Sequence, residues 1–186
     1  MKRLLSVLLM TALVLSGCGE SVKLRENFEE ARGRWCGAEE ISFAADMEAD
    51  LGDSIFSCGV LCTVCGGETV IELTSPENIA GIRARLGDGE TRLEYDGLIL
   101  ALGDAGQDGS SPLGAAAVFA ESLLEGHLTG IWTEEEGSLA AADFYVSETE
   151  YARLWFEREN FVPVHAELVQ EGQVVVKCSI TNFTKE

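Results

Sequence analysis

The stretch Ser57-Cys58-Gly59-Val60-Leu61-Cys62-Thr63-Val64-Cys65-Gly66-Gly67 places three of the chain's six cysteines at the spacing C-x3-C-x2-C. Three thiolates so spaced can hold an iron–sulfur cluster, and C-x2-C alone serves zinc sites and thiol–disulfide catalysts. Which chemistry is available depends on the element that carries the thiols. Phe56, Cys58, Val60, Cys62 and Val64 recur every second residue, the period of a half-buried strand, so they share one face while Cys65 points to the other. Along a strand Cys58 and Cys62 stand about 13 Å apart, at roughly 3.3 Å per residue. A tetrahedral metal with sulfur ligands at about 2.3 Å cannot gather thiolates placed in this way. A redox C-x2-C opens a helix, where the dipole lowers a thiol's pKa, whereas Cys62 and Cys65 precede a Gly66-Gly67 turn. The sequence therefore predicts no metal site and no cofactor here.

Other reactive constellations are missing as well. The sequence contains no G-x-S-x-G elbow, no H-E-x-x-H and no phosphate-binding glycine loop. His127 and His165 fall in different segments without a nucleophile or ligand spacing, and are read as surface histidines. The expectation is a non-catalytic protein.

The N-terminus sets the compartment. Lys2 and Arg3 precede an apolar run from Leu4 to Leu15, too short for a mature membrane span and suited to a signal peptide. It ends in Leu15-Ser16-Gly17-Cys18, which resembles the lipobox of bacterial lipoproteins, in which the cysteine is linked to diacylglycerol and becomes the new N-terminus. The resemblance implies cleavage of residues 1–17, lipidation at Cys18 and a partner in the membrane, with the rest of the chain exported. Two or more acyl chains, at about 0.8 kcal/mol per buried CH2, form a stable anchor. With Cys18 so used, five thiols remain, an odd number that leaves at least one unpaired. Within a straight strand Cys58–Cys62 and Cys62–Cys65 exceed the roughly 7 Å limit for a disulfide. Cys178, which shares a face with Val174, Val176 and Ile180, is the candidate partner of Cys62; Cys36 is the candidate for Cys58, and Cys65 is assigned as free.

The chain has 32 acidic against 13 basic residues and a formal net charge of −19. Such acidity repels nucleic acid and anionic headgroups, which excludes a nucleic-acid partner, and suits solubility of an exported protein. With 46% hydrophobic residues the composition is that of a folded domain. The expected division is a signal peptide over 1–17, a lipidated N-terminus and short tether over 18–23, and a single domain over 24–186.

Leu24, Phe28, Ala31 and Trp35 recur at intervals of four, three and four, which predicts an amphipathic helix. From residue 40 the period changes to two. Strands are predicted over 40–51, 54–65, 69–74, 82–86, 91–96 and 98–102, divided by turns such as Gly66-Gly67 and Asp96-Gly97. The polar stretch 103–112 leads into an Ala- and Leu-rich helix over 113–124, with Ser110 or Ser111 as cap and Pro112 in its first turn. Five more strands follow, over 128–133, 139–146, 151–156, 162–169 and 173–183. Short connections favour antiparallel neighbours. The predicted class is α+β, mainly β: a curled antiparallel sheet of about eleven strands, an unclosed half-barrel, with an N-terminal helix and one inserted helix covering its concave face.

This order resembles the LolA/LolB-like family of lipoproteins and lipoprotein carriers. The local matches are the N-terminal helix after the lipobox, the segment Ser75-Pro76-Glu77-Asn78-Ile79-Ala80-Gly81-Ile82, and the run Leu154-Trp155-Phe156-Glu157 to Val162-Pro163-Val164-His165-Ala166-Glu167 before a final strand. The resemblance implies an open eleven-stranded barrel lidded by helices that holds acyl chains. No ligand residue of the family carries over: the arginine on which the soluble carrier depends has no matching position. Candidates for lining a cavity come from the apolar positions themselves: Phe28, Trp35, Phe43, Met47, Phe56, Leu93, Tyr95, Phe119, Leu123, Trp132 and Trp155. The expected function is binding or carrying a lipid or lipoprotein acyl chain; the alternative is an interaction lipoprotein with a filled core that works through its acidic surface.

Overall fold

In the computed structural model of the chain, residues 18–87, 89–103 and 111–186 are described. Leu15, Ser16 and Gly17 lie outside them. Helix α1 (Cys18–Cys36) opens the fold, followed by β1 (Glu40–Asp50), β2 (Ile55–Cys65), β3 (Glu68–Ser75), β4 (Arg83–Gly87), β5 (Glu90–Tyr95) and β6 (Leu98–Gly103). Helix α2 (Pro112–Leu124) then leads into β7 (His127–Thr133), β8 (Leu139–Tyr145), β9 (Glu150–Glu157), β10 (Pro163–Gln170) and β11 (Gln173–Lys185). The predicted number, order and type of elements all hold. The segment 18–23, expected as a tether, is instead the first part of α1: after Gly19 it contains no glycine or proline to interrupt the helix.

The eleven strands form one antiparallel sheet in the order β6-β5-β4-β3-β2-β1-β11-β10-β9-β8-β7. Two meanders thus run outward from a central seam between β1 and β11. Period-two burial fixes which side faces in. On β1, Ile41, Phe43, Ala45, Met47 and Ala49 are buried between more exposed neighbours, and in register they continue into Cys178, Ile180 and Val176 of β11.

The sheet does not close, and α2 connects its two edge strands. Ser111 caps α2, its hydroxyl accepting from the Gly114 amide at 3.0 Å, with Pro112 in the first turn. The helix packs on β1, β2, β3 and β9. Close approach of α2 to the sheet is possible because its packed residues are small: Gly114, Ala115, Ala116 and Ala120 are buried, as is Ala152 of β9. Helix α1 packs against β7 and α2, with Leu24, Phe28, Ala31 and Trp35 inward as the spacing predicts. Its Arg32 donates to the carbonyls of Leu124 (2.9 Å) and Gly126 at the end of α2, satisfying acceptors that a helix terminus leaves open.

The two edges differ. On β7, Arg25 of α1 donates to the Leu128 carbonyl at 3.2 Å, and Leu128 is buried. On β6, three successive residues stand in solvent: Leu98 is 74% exposed, Ile99 68% and Leu100 57%.

Candidate ligand cavity and the thiol row

A cavity of about 290 Å³ lies beneath α2. Its floor is a single row across three strands, Val64 of β2, Thr69 of β3 and Leu86 of β4, paired in that order. Ala117, Val118 and Leu124 of α2 form the roof, and the exposed Glu121 and Glu125 stand at its rim. One strand further along the same row, opposite Leu86, is Thr91. It is 2% exposed, and its hydroxyl has no hydrogen-bond partner among the described residues.

None of the aromatic and aliphatic candidates read from the sequence lines this cavity. Phe28, Trp35, Phe43, Met47, Phe119 and Leu123 are buried in the continuous core, and Phe56 is packed against it. They fill the interior. Phe28 is the hub, with ring centroids of Trp35, Phe144 and Phe161 at 5.9 Å and Phe156 at 5.2 Å. Leu93 is half-buried and Tyr95 is 45% exposed, both out on β5. The cavity's own residues are glycine, alanine, valine, threonine and leucine with two glutamates, and none is aromatic. The trace of them in the sequence is the run of alanines in α2.

Trp132 and Trp155 are corrected more sharply, since they stand on the outer face. Leu154 and Phe156 take the inward positions of β9, so Trp155 points the other way. In register, Trp132, Ala141, Trp155 and His165 form one outward row across β7 to β10. Ala141 is fully buried although it belongs to that row. Both indole N–H groups donate to Oε1 of Glu134, at 3.2 and 3.0 Å. Beside them Arg153 makes two hydrogen bonds to Asp143, at 2.7 and 2.9 Å, and lies 5.0 Å from the Trp132 ring, 5.3 Å from Tyr151 and 5.9 Å from Trp155. The hydrogen bonds that Arg153 donates to Asp143 raise its pKa further. This is a second, solvent-side packing cluster that fastens the β7–β10 half of the sheet.

The cysteines are also arranged differently from the expected staples. Cys36, Cys58, Cys62, Cys65 and Cys178 are all free thiols. Cys58 and Cys178 are opposite the same β1 residue, Met47, one on each side of it, so two strand spacings, about 9.5 Å, separate their backbones. Cys62 pairs with Phe43, farther along β1. Strand β1 therefore stands between Cys178 and either β2 thiol, and the roughly 7 Å reach of a disulfide is exceeded. Cys36 is exposed at the end of α1, where its Sγ is 3.3 Å from the Leu124 carbonyl, whereas Cys58 is buried. Among the described residues no group of three or more Cys, His, Asp or Glu is placed to hold a metal.

Burial pushes the Cys62 thiol up to about 12 and raises those of Cys178 and Cys58 as well. In the folded protein a thiol-specific disulfide reagent at pH 8 is expected to modify the two exposed cysteines, Cys36 and Cys65, at least a hundredfold faster than the three buried ones. Equal rates for all five would contradict the placement. The same shifts set an alkaline limit. Above pH about 9 the unfolded chain loses the Cys62 proton that the folded chain keeps, so stability falls as pH rises from about 9 towards 12, by up to about 1.4 kcal/mol per pH unit for this thiol, and the raised thiols of Cys178 and Cys58 act in the same direction. Urea titrations at pH 8 and 10.5 measure this, and Cys62→Ala should flatten the slope.

The open eleven-stranded sheet under an N-terminal and an inserted helix is the architecture that the LolA/LolB-like resemblance implies. Two solved structures share the fold at a TM-score of 0.50. One is an uncharacterized conserved protein from Thermus thermophilus, 9% identical over 87% of this chain and 87% of that chain. The other is a DUF1329 family protein from Desulfovibrio piger, 8% identical over 88% of this chain and 93% of that chain. A LolA superfamily protein from Nitrosomonas europaea superposes with a TM-score of 0.45 at 9% identity, over 85% and 93% of the two chains. Identities this low show the fold alone. No family model matches the chain, and no curated protein matches it by sequence.

Proposed function

We propose that the chain is a non-catalytic, exported protein, tethered to a membrane by acyl chains on Cys18, that binds a hydrophobic ligand in the cavity beneath α2. The observation that carries this reading is the cavity itself: a floor of Val64, Thr69 and Leu86 under a helical roof. Its volume of about 290 Å³ is at the lower end of ligand pockets, which begin near ~300 Å³, so it suits one acyl chain or part of one. Transfer of each CH2 contributes about 0.8 kcal/mol. Glu121 and Glu125 at the rim oppose an anionic head and favour an ester-linked or otherwise uncharged one. The Thr91 hydroxyl, buried one strand beyond the floor row and without a hydrogen-bond partner among the described residues, is the nearest candidate to meet a polar head. No helix among the described residues is long and apolar enough to cross a membrane, and the lipobox supplies the anchor.

The filled core favours a second reading, an interaction lipoprotein whose acidic surface does the work, and one experiment separates the two. Native mass spectrometry of protein purified from membranes should show a lipid adduct that is lost in Ala117→Trp, whose indole occupies the cavity. A ligand-free wild type that also fails to bind a fluorescent acyl ester would reject the cavity reading in favour of the second.

A further inference from the structure

The β6 edge is the least protected part of the sheet. Leu98 to Ala101 pair residue by residue with Tyr95 to Arg92 of β5, so one side of β6 is engaged and the other presents its backbone outward. Edge strands in soluble proteins are ordinarily shielded by charge, proline or a covering element. At β7 the shield is α1, with Arg25 on the Leu128 carbonyl. At β6 the strand reads Leu-Ile-Leu-Ala-Leu-Gly without a charge. Its three exposed aliphatic residues are consecutive, so they alternate between both faces of the sheet.

Beside the start of this strand lies a hollow of about 230 Å³ whose lining includes Leu98, Ile99, Tyr95, Arg83, Glu94 and Asp96. Arg83 is paired with Glu72 at 2.7 Å, and Glu94 with Arg85 at 3.0 Å. Asp96, exposed in the turn, forms no ion pair among the described residues. The hollow therefore has aliphatic walls and one uncompensated carboxylate.

We propose that β6 takes up an extended aliphatic segment of a partner protein as a twelfth strand, with a lysine or arginine of that segment seated over Asp96. Backbone hydrogen bonds along β6 supply the docking, alternate aliphatic side chains cover Leu98, Ile99 and Leu100, and the basic residue fixes the register. The charge pattern disfavours a second copy of this chain as occupant. β6 holds no lysine or arginine that a second copy could set over Asp96.

The test is selection of a random twelve-residue display library on the purified chain, with the double variant Ile99→Lys/Leu100→Lys as a parallel target. Both positions are exposed, so the variant keeps the wild-type fold, checked by its circular dichroism and unfolding midpoint. The expected result is a set of peptides alternating aliphatic residues with at least one Lys or Arg, bound at least tenfold more weakly by the double variant and by Asp96→Asn. Amide exchange in 98–101 should slow when the selected peptide is added. Peptides without that pattern, peptides that bind the double variant equally, or protection confined to another strand would each overturn the proposal. So would a wild-type dimer in sedimentation that the double variant disperses.

Discussion

Phe28→Ala is expected to lower the stability of the folded chain by about 3–5 kcal/mol, the range for truncating a fully buried aromatic residue. Phe28 is 0% exposed and is the one ring that touches α1 through Trp35, the β8 and β9 strands through Phe144 and Phe156, and the β9–β10 connection through Phe161. Four partners at fixed positions leave little room for collapse into the vacated space, so the cavity term is retained in full. In a domain of this size each kcal/mol lowers Tm by about 2–4 °C, and urea unfolding should show a lower midpoint with an unchanged slope. A loss under about 1 kcal/mol would mean that α1 is not docked as described. Phe28→Leu, which restores most of the volume, should recover more than half of the loss.

Arg32→Ala is expected to cost about 3 kcal/mol for a different reason. The Arg32 side chain is 12% exposed and its guanidinium serves the carbonyls of Leu124, Gly126 and, at the long end of the range, Ser122. Removing it takes the guanidinium donor from the half-buried carbonyls at the end of α2 and leaves Leu124 only the Cys36 thiol, and each acceptor left without a partner costs about 1–3 kcal/mol, with partial relief where water can enter. The loss of a cation near the negative end of the helix adds to this, as does the stacking of the guanidinium 5.8 Å from the Phe144 ring. Arg32→Lys separates these contributions, since one ammonium cannot span three carbonyls, and it should recover less than half of the stability. Full recovery by lysine would assign the effect to charge alone. Because Leu124 also roofs the cavity, Arg32→Ala should weaken acyl-ester binding as well.

The strands were legible because their inward residues alternate so regularly. β1 has five buried apolar positions in strict period two, and glycine- or aspartate-rich turns separate the strands that follow. What alternation cannot supply is which side of each later strand faces the helices. Trp132 and Trp155 have the size and apolarity of core residues, and only the register through Ala141 places them outside. Spacing also says nothing of lateral order. Cys62 and Cys178 share the inward face, as their neighbours imply, but the chain inserts β1 between their strands, which no local pattern records. The cavity was hidden for a related reason. It is defined by what small residues leave empty, at Ala117 and Ala120 of α2 over Thr69, whereas the eye is drawn to large side chains that fill space.

The seam between β1 and β11 also constrains how the molecule assembles. Ser42 and Thr184, hydrogen-bonded across it at 3.0 Å, are 142 residues apart, while every other strand pairing joins neighbours in sequence. Such a distant pairing is slow to find. A chain that emerges N-terminus first can form the β1–β6 hairpins early, but β1 keeps an unmatched inner edge until the final strand arrives. During that interval the edge is open to wrong partners, including the same strand of a neighbouring molecule. A ribbon whose first and last strands are its middle is thus complete only when its last residues are delivered, and a truncation of a dozen C-terminal residues would leave two unfinished halves rather than a slightly smaller protein.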